Sequence, residues 1–159
     1  MQNQHYNRVI TTPLGNMIAT ANEDAIISFD FIEEGKIYQS INAPSPLLLR
    51  LEKEVLEYFR GERKEFTIPL SPSGTTFQKE VWDTLLSIPY GTTVSYKTEA
   101  KIFGNPKAIR AVANANGKNP ISILIPCHRV IASDGSLGGY SGGLDKKKFL
   151  LFLESDFFQ

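Results

Sequence analysis

The pattern of apolar residues changes from strand-like to helix-like at SPSG, residues 71–74, and this change constrains the fold more than any other feature of the chain. Before it, residues 8–35 hold short apolar runs separated by turn sequences at 13–15 and 22–24. Such runs, with Pro, Gly, Asn and Asp between them, are typical of antiparallel strands joined by tight turns. We therefore predict a meander of three strands over this stretch.

The rest of the first half predicts one helix and one ambiguous segment. Apolar residues recur at helical spacing over 46–62, where Gly61 is a suitable stop. Residues 66–70, FTIPL, fit either a fourth strand or a link. We therefore expect an α+β chain in which a small N-terminal domain of antiparallel sheet plus helix, residues 1–70, precedes a mostly helical C-terminal domain, residues 71–159.

The second half begins and ends with an amphipathic helix. Thr75 and Gln78 have the spacing of a capping box, in which each side chain bonds the backbone N–H of the other. The apolar stripe of the helix that follows is formed by Phe77, Val81, Trp82, Leu85 and Leu86. A last helix is predicted over 145–155, beginning at Asp145 and burying Phe149, Leu150 and Leu153.

Two short helices joined by a turn are predicted in the middle of the second half. Ser95 caps the first helix and Gly104 ends it. Asn105, as N-cap, and Pro106, at the first helical position, then begin a second helix that Gly117 stops. A turn of about three residues between two short helices is the arrangement of a helix-turn-helix.

The second helix of this pair has two different faces. At about 100° per residue, its inner face is formed by Ile109, Val112, Ala113 and Asn116. Its outer face is formed by Lys107, Arg110, Ala111 and Asn114. Two cations, a small residue and an amide suit contact with a phosphate backbone, and a merely solvated helix surface is the alternative.

Composition and charge exclude several classes of protein. No apolar run approaches the roughly 18 residues of a membrane span, and residues 1–10 lack the features of a signal peptide. A single cysteine excludes an intrachain disulfide and fits a reducing compartment, so we expect a cytoplasmic protein. With one cysteine and two histidines the usual zinc sites cannot be assembled, and no glycine loop for phosphate is present, so we expect no metal and no cofactor.

The formal net charge is zero, but it is unevenly distributed. Residues 1–70 carry 7 Lys+Arg and 10 Asp+Glu, a net charge of −3, whereas residues 71–159 carry 10 and 7, a net charge of +3. This asymmetry indicates either an anionic partner for the second half or chance.

The single cysteine, Cys127, is followed directly by His128 in the sequence IPCHRV. A thiol with an ordinary pKa of about 8.5 needs a base or a cation to act as a nucleophile at neutral pH. Successive side chains of an extended strand point to opposite faces, so the two residues can cooperate only across a turn or through a water. The carboxylate that would orient the base is Asp134, Asp145 or Glu154, and a structural buried cysteine is the alternative.

The same stretch carries a resemblance to a known family. IPCHRVI, preceded by Asn119-Pro120 and followed by GGYSGG, resembles the active-site signature of the O6-alkylguanine-DNA alkyltransferases, or methylated-DNA–protein-cysteine methyltransferases. GTTVSY, GNPKAIRAV and GGLDKKKFLLFLE match the other blocks of the family in the same order. The resemblance is dense over 75–155 and looser over 1–70. It implies a ribonuclease-H-like support domain and a winged-helix-like domain that binds DNA and accepts the alkyl group.

The resemblance also implies an activity and a partner. The family repairs DNA by direct reversal: an alkyl group on guanine O6, and in some cases on thymine O4, passes irreversibly to the protein's own cysteine, once per molecule. The partner is duplex DNA, bound through the minor groove by a monomer that flips the damaged base out of the stack. A damage-binding protein without transfer and a cysteine hydrolase are the rival hypotheses.

Roles for the catalytic residues follow from the same resemblance. Cys127 is the acceptor, His128 is the base that acts through a bridging water, and Glu154 orients the imidazole. Asn119 braces the loop that carries the cysteine. Tyr96 contacts the flipped base and the adjoining phosphate, and protonates guanine N3 as the base leaves.

The resemblance implies roles for DNA-contacting and pocket residues as well. Arg110 fills the space left by the extruded nucleotide, and Ala111 allows close approach to DNA. The same surface includes Lys107 and Asn114. The guanine pocket is lined by Val130, Tyr140 and Ser141. Ser122 stands where some members carry a proline that packs against bulky alkyl groups, which leaves the acceptance of benzyl-sized adducts open.

Overall fold

A computed structural model describes residues 5–33, 35–38 and 45–155. The chain divides into two compact units. The first is Met1–Ser73 together with Pro120–Ser122, and the second is Gly74–Asn119 together with Ile123–Gln159. The α+β class is confirmed, with a small antiparallel sheet in the first unit and most helices in the second. The short segment 120–122 belongs to the first unit, although the sequence places it within the predicted C-terminal domain.

The first unit is built on the predicted meander. Strands β1 (Tyr6–Thr12), β2 (Gly15–Ala21) and β3 (Ile26–Phe31) pair antiparallel in the order β1-β2-β3. Gly15 adopts a φ of 105°, which lets the chain reverse within two residues after β1. At the second turn, the side chain of Asn22 accepts hydrogen bonds from the backbone N–H groups of Asp24 and Ala25, and these bonds stabilise the turn.

One helix covers this sheet. Helix α1 (Pro46–Phe59) begins after Ser45, whose hydroxyl accepts from two backbone N–H groups of the first turn. Its buried apolar residues are Leu48, Leu51, Val55 and Tyr58. The ambiguous segment 66–70 is a link, which forms only an isolated parallel bridge from Leu70 to Ile26. The backbone of Phe29 bonds Pro120 and Ser122, and these bonds hold segment 120–122 beside β3.

Helix α2 (Thr76–Leu86) begins the second unit with the capping box that the sequence predicts, between Thr75 and Gln78. Val81, Trp82 and Leu85 are buried. Leu86 is 48% exposed, so its inclusion in the apolar stripe was wrong. It follows Leu85 by one residue, which turns its side chain about 100° away from the stripe at the last residue of the helix.

The helix pair α3 (Tyr96–Phe103) and α4 (Ile109–Gly117) is present, but α4 begins later than predicted. Ser95 caps α3, and Gly104 ends it with a φ of 104°. Asn105 does not cap α4: its side chain accepts from the N–H of Lys107 and its carbonyl accepts from the N–H of Ala108. These bonds make residues 105–108 a turn, so Lys107 precedes the helix.

A two-stranded parallel pair and a last helix complete the second unit. Strands β4 (Val94–Ser95) and β5 (Val130–Ile131) pair, and a 3-10 turn (Cys127–Arg129) leads into β5. Helix α5 (Leu144–Glu154) buries Lys147, Leu150, Leu153 and Glu154. Phe149 is 38% exposed, which corrects the prediction that it is buried, because Lys147 and Glu154 occupy the inner face of the helix. None of the described helices is long and apolar enough to span a membrane.

Candidate active site: a buried cysteine at a cavity wall

The segment before Cys127 bends sharply, and this bend places the cysteine. Ile123 adopts a φ of 73°, a left-handed conformation that is strained for a β-branched residue. Cys127 donates its backbone N–H to the carbonyl of Ile125 at 2.8 Å, and Arg129 donates to Pro126 at 3.0 Å. The turn buries Cys127 and His128 together, so the two residues do not lie on opposite faces of an extended strand.

Asn119 connects the cysteine to the loop that carries it. Its Nδ2 donates to the carbonyl oxygen of Ile125 at 2.8 Å and to Sγ of Cys127 at 3.4 Å. Burial raises the pKa of the Cys127 thiol, while the Asn119 hydrogen bond and the charge of Lys147 lower it by less. The resting sulfur is therefore a protonated thiol that needs a base before it can attack.

His128 is fully buried and faces an ionised carboxylate. Its Nε2 lies 2.7 Å from Oε2 of Glu154. Burial lowers the pKa of His128, although the hydrogen bond to Glu154 opposes this shift, so the imidazole is neutral at rest. Because an ionised carboxylate can only accept, Nε2 carries the proton. Nδ1 is then an unprotonated acceptor, and it has no hydrogen-bond partner among the described residues.

Arg129 is the second residue that helps to keep Glu154 charged, and it is a permanent cation. Its Nε donates to Oε1 of Glu154 at 2.8 Å, and its Nη2 donates to Oε2 at 3.1 Å. Burial alone would raise the pKa of Glu154, but the hydrogen bonds from His128 and Arg129, together with the charge of Arg129, lower it to about 2. Arg129 also donates to the carbonyl of Ile88 at 2.7 Å. From its position directly after the Cys-His pair, Arg129 is a candidate cation for the thiol, whereas in the structure it bonds Glu154.

The choice among the three candidate carboxylates is decided by position. Asp134 is exposed and closes its own turn by accepting from Ser136. Asp145 is exposed in the first turn of α5. Only Glu154, 2% exposed, contacts His128.

Lys147 is a buried cation that the sequence analysis did not single out. Its Nζ donates to the carbonyl oxygen of Val130 at 2.6 Å and to that of Gly139 at 3.0 Å. It also lies 5.9 Å from the centre of the Tyr96 ring. Burial lowers the pKa of Lys147, and the nearby Cys127 raises it. Nothing in the run KKK distinguishes its middle member, because only the packing of α5 determines which lysine points inward.

A cavity of about 590 Å³ opens beside the cysteine. Its walls bring together predicted residues from four segments, namely Tyr96, Arg110, Asn114, Cys127, Tyr140 and Ser141. It is also lined by residues that were not proposed for the site, namely Ile109, Ala113, Asn116, Gly117 and Gly139. Ile109 and Ala113 therefore face the cavity rather than the core that the periodicity predicted. The volume is in the range of small-ligand pockets.

Besides Asn119, His128 and Glu154, which support Cys127, four of the predicted residues do not line this cavity. Val130 is fully buried, and its carbonyl oxygen is occupied by Lys147. Ser122 belongs to the first unit, where its hydroxyl bonds Oδ1 of Asp30 at 3.3 Å. Lys107 and Ala111 are exposed, the former in the turn before α4 and the latter on its outer surface.

Tyr96 begins α3 and holds the glycine loop of the cavity. Its Oη accepts from the N–H of Gly139 at 3.3 Å. Burial raises the pKa of Tyr96, and this hydrogen bond lowers it by less. A Cβ added at Gly138, whose φ is 71°, would lie 2.6 Å from the same Oη. Only glycine fits at this position without displacing the ring.

These observations define a protein class: a helix-turn-helix unit whose buried cysteine, supported by a histidine and a carboxylate, lies at a cavity beside the second helix of the pair. Comparisons with known proteins make the class specific. Two family models match, described as the 6-O-methylguanine DNA methyltransferase ribonuclease-like domain over residues 5–72 and its DNA binding domain over residues 76–156.

Individual proteins agree with the family models. The methylated-DNA–protein-cysteine methyltransferase of Methanosarcina barkeri is 44% identical over 155 residues, which are 95% of this chain and 98% of the relative. The crystal structure of the Mycobacterium tuberculosis O6-methylguanine methyltransferase is 37% identical and superposes with a TM-score of 0.85 over 95% of this chain and 93% of that one. Mycobacterium tuberculosis OGT in complex with DNA has 39% identity and a TM-score of 0.85, covering 93% and 91%. The chain belongs to the 6-O-methylguanine DNA methyltransferase family.

Proposed function

We propose that this chain repairs DNA by direct reversal, in which an alkyl group leaves O6 of guanine and becomes bonded to Sγ of Cys127. The observation that carries the proposal is a buried cysteine that Asn119 holds at a cavity wall, next to a histidine whose free nitrogen faces away from an ionised carboxylate. The relatives named for methyl transfer to a protein cysteine support the same reaction. Residues 71–159 bind DNA and accept the alkyl group, and residues 1–70 form a supporting domain.

The first step is deprotonation of the thiol. Nδ1 of His128 takes the proton of Cys127 through a water, and the imidazolium that results is stabilised by Glu154. The hydrogen bonds from His128 and Arg129 keep Glu154 ionised, so the carboxylate can compensate the new positive charge without being protonated itself. As in a nucleophile–histidine–carboxylate triad, the carboxylate orients the histidine and the histidine deprotonates the nucleophile, which here displaces an alkyl group.

The second step is displacement at the alkyl carbon. The new carbon–sulfur bond forms as the carbon–O6 bond breaks, and the bonding electron pair stays with the guanine. Tyr96, which lines the cavity, donates a proton to guanine N3 and so neutralises the leaving base. After the base has left, the Tyr96 phenolate takes a proton from solvent and the His128 imidazolium releases one, so the proton balance closes. The thioether that remains on Cys127 is stable, and each molecule therefore reacts once.

The base must leave the duplex before it can reach a buried sulfur. Unstacking costs a few kcal/mol, less for a mispaired lesion, and a side chain that fills the vacated space offsets part of the cost. Arg110 suits this role because it is exposed on α4 and also lines the cavity. Ala111, a small residue exposed beside it on α4, allows close approach to the minor groove. We propose that the protein acts as a monomer in the cytoplasm, on O6-alkylguanine and O4-alkylthymine.

Mass spectrometry after incubation with duplex DNA containing O6-methylguanine tests the proposal. We expect one added CH2 group per protein, located on the peptide that contains Cys127, with an amplitude equal to the amount of protein. Cys127→Ala should bind the same DNA and gain no mass. A wild-type protein that binds the DNA unmodified would instead be a damage sensor, and repeated turnover of an ester or peptide would indicate a cysteine hydrolase.

A further inference from the structure

The helix pair α3–α4 contains a buried carboxyl that the transfer steps do not use. Glu99, on α3, is completely buried. Its Oε1 accepts a hydrogen bond from Nδ2 of Asn116, on α4, at 2.7 Å. Asn116 is 8% exposed and lines the cavity that also holds Cys127 and Tyr96. The carboxyl group of Glu99 is therefore hydrogen-bonded to Asn116, a side chain of the cavity wall.

Each member of this pair has one further buried oxygen. Oε2 of Glu99 and Oδ1 of Asn116 are both buried and have no hydrogen-bond partner among the described residues. If Glu99 is ionised, both oxygens are acceptors only, and two desolvated acceptors remain without a donor. A carboxylic acid has the missing donor: a hydrogen on Oε2 can be given to Oδ1 while Oε1 accepts from Nδ2. One proton thus satisfies both orphaned atoms.

We propose that below neutral pH Glu99 holds a proton in the folded protein and forms a two-point acid–amide pair with Asn116, which orients the Asn116 amide in the cavity wall and keeps that wall uncharged. Glu99 is a positioning residue, since it acts on the cavity through Asn116. The effect on alkyl transfer rests on the proposed function, whereas the protonation of Glu99 does not.

The surroundings of Glu99 favour the neutral acid. Burial raises the pKa of Glu99 from 4.5 to about 7, and the Asn116 hydrogen bond opposes this only in part. Among the residues that the structure describes, no cation contributes to the shift: Arg110 of α4 is exposed, and the buried Lys147 interacts with Cys127 instead. The charged residues of α2, which also packs against α3, are all exposed, namely Lys79, Glu80 and Asp83.

A neutral Glu99 favours ionisation of the two reactive groups of the cavity, the Cys127 thiol and the Tyr96 hydroxyl. A negative charge on Glu99 raises the pKa of the Cys127 thiol and that of the Tyr96 hydroxyl. An ionised Glu99 would therefore oppose formation of the thiolate that attacks the alkyl group. Protonation of Glu99 removes this negative charge, and the added hydrogen can also be donated to Oδ1 of Asn116.

A carboxyl-carbon NMR titration of the wild-type protein tests the protonation itself. Glu99 should titrate with a midpoint near 7, and Glu99→Gln identifies its signal by deletion. A midpoint near the ordinary value of 4.5 would overturn the inference. The measurement needs no substrate and is independent of whether the protein transfers alkyl groups.

Single-turnover transfer from O6-methylguanine duplex tests the consequence. Glu99→Gln replaces the acid by its neutral isostere, whose amide can also donate to Oδ1 and accept from Nδ2. The ratio of the variant rate to the wild-type rate should be close to one near pH 6 and should rise roughly three- to tenfold by about pH 8.5, because only the wild type acquires the charge. A ratio that does not change with pH, or a variant that is slower near pH 6, would contradict the inference.

Glu80→Gln is the matched control. It removes the same charge from an exposed position on α2, and its rate ratio should remain near one at every pH. Absence of transfer by the wild type and both variants would refute the proposed function, and the titration midpoint would still decide the state of Glu99.

Discussion

Glu154 keeps a full negative charge in the interior because Arg129 and His128 both bond its carboxylate. Its pKa in the folded protein is about 2, compared with an ordinary value of 4.5. A carboxyl whose folded pKa is depressed stabilises the fold above its unfolded pKa, and this contribution is lost as the pH falls through the folded pKa.

This shift predicts a loss of stability in acid. Between about pH 4.5 and about pH 2, Glu154 should contribute a decrease of about 3 kcal/mol in the free energy of unfolding, from roughly 1.4 kcal/mol per pKa unit. Urea unfolding of wild type and Glu154→Gln over this range isolates the effect. The difference between the two proteins should shrink as the pH falls, and a constant difference would show that the carboxylate is not specially stabilised.

Gly138 permits a second prediction at the residue scale. Gly138→Ala places a methyl group 2.6 Å from Oη of Tyr96, so the ring or the loop must move, and we expect alkyl transfer to slow at least tenfold, about 1.4 kcal/mol of activation free energy. Gly135→Ala is the matched control: its φ of 87° imposes comparable backbone strain, but no atom lies within 4 Å of its Cβ. Equal slowing in both variants would attribute the effect to strain and not to Tyr96.

At the scale of elements, the turn before α4 separates two cations that the sequence placed on one helix face. Asn105 bonds the N–H of Lys107 within the turn, so α4 begins at Ile109. Arg110 therefore lies in the first turn of the helix and lines the cavity, whereas Lys107 does not. Arg110 and Lys107 carry the same charge but only Arg110 lines the cavity, so mutating each in turn separates an effect of charge from an effect of position.

Arg110→Ala should slow repair of duplex DNA by roughly 10- to 100-fold, because unstacking costs a few kcal/mol and Arg110 offsets part of it. Reaction with the free alkylated base should change little, since no extrusion is needed. Lys107→Ala should weaken duplex binding through charge alone, an effect that disappears as salt rises. Rates on both substrates, measured for both variants, test the role of Arg110. Equal slowing by Arg110→Ala on duplex and free base would count against it.

At the scale of the whole molecule, zero net charge limits the electrostatic part of DNA binding. Few phosphate contacts release few counterions, so we expect a shallow dependence of affinity on salt. Fluorescence anisotropy with labelled duplex should give a log–log slope of magnitude about 2 to 4, corresponding to two to four neutralised phosphates at roughly 0.9 each. A slope of magnitude near 8 would mean that the basic residues of the second half act together over a longer stretch of DNA.

Local rules in the sequence determined most of the secondary structure. The meander, α1, the capping box of α2 and the ends of α3 depend on turn residues, caps and periodicity within a few positions, and these features were predicted correctly. The start of α4 was missed because Asn105 has two local options, a helix cap and a turn, and the sequence does not distinguish their energies.

Some features of the site also follow from the sequence, whereas others depend on tertiary contacts. The sequence alone determined that Cys127 has a histidine beside it, and the family resemblance supplied the functional expectation. The resemblance named Glu154 as the partner of His128, and the tertiary structure brings the two side chains together. Only the tertiary structure decided that Arg129 also bonds that carboxylate and that the middle lysine of KKK points inward. It alone paired Glu99 with Asn116, 17 residues apart. The physical reason is that burial and long-range contact set the charge of an ionisable group, and neither is a property of neighbouring letters in the chain.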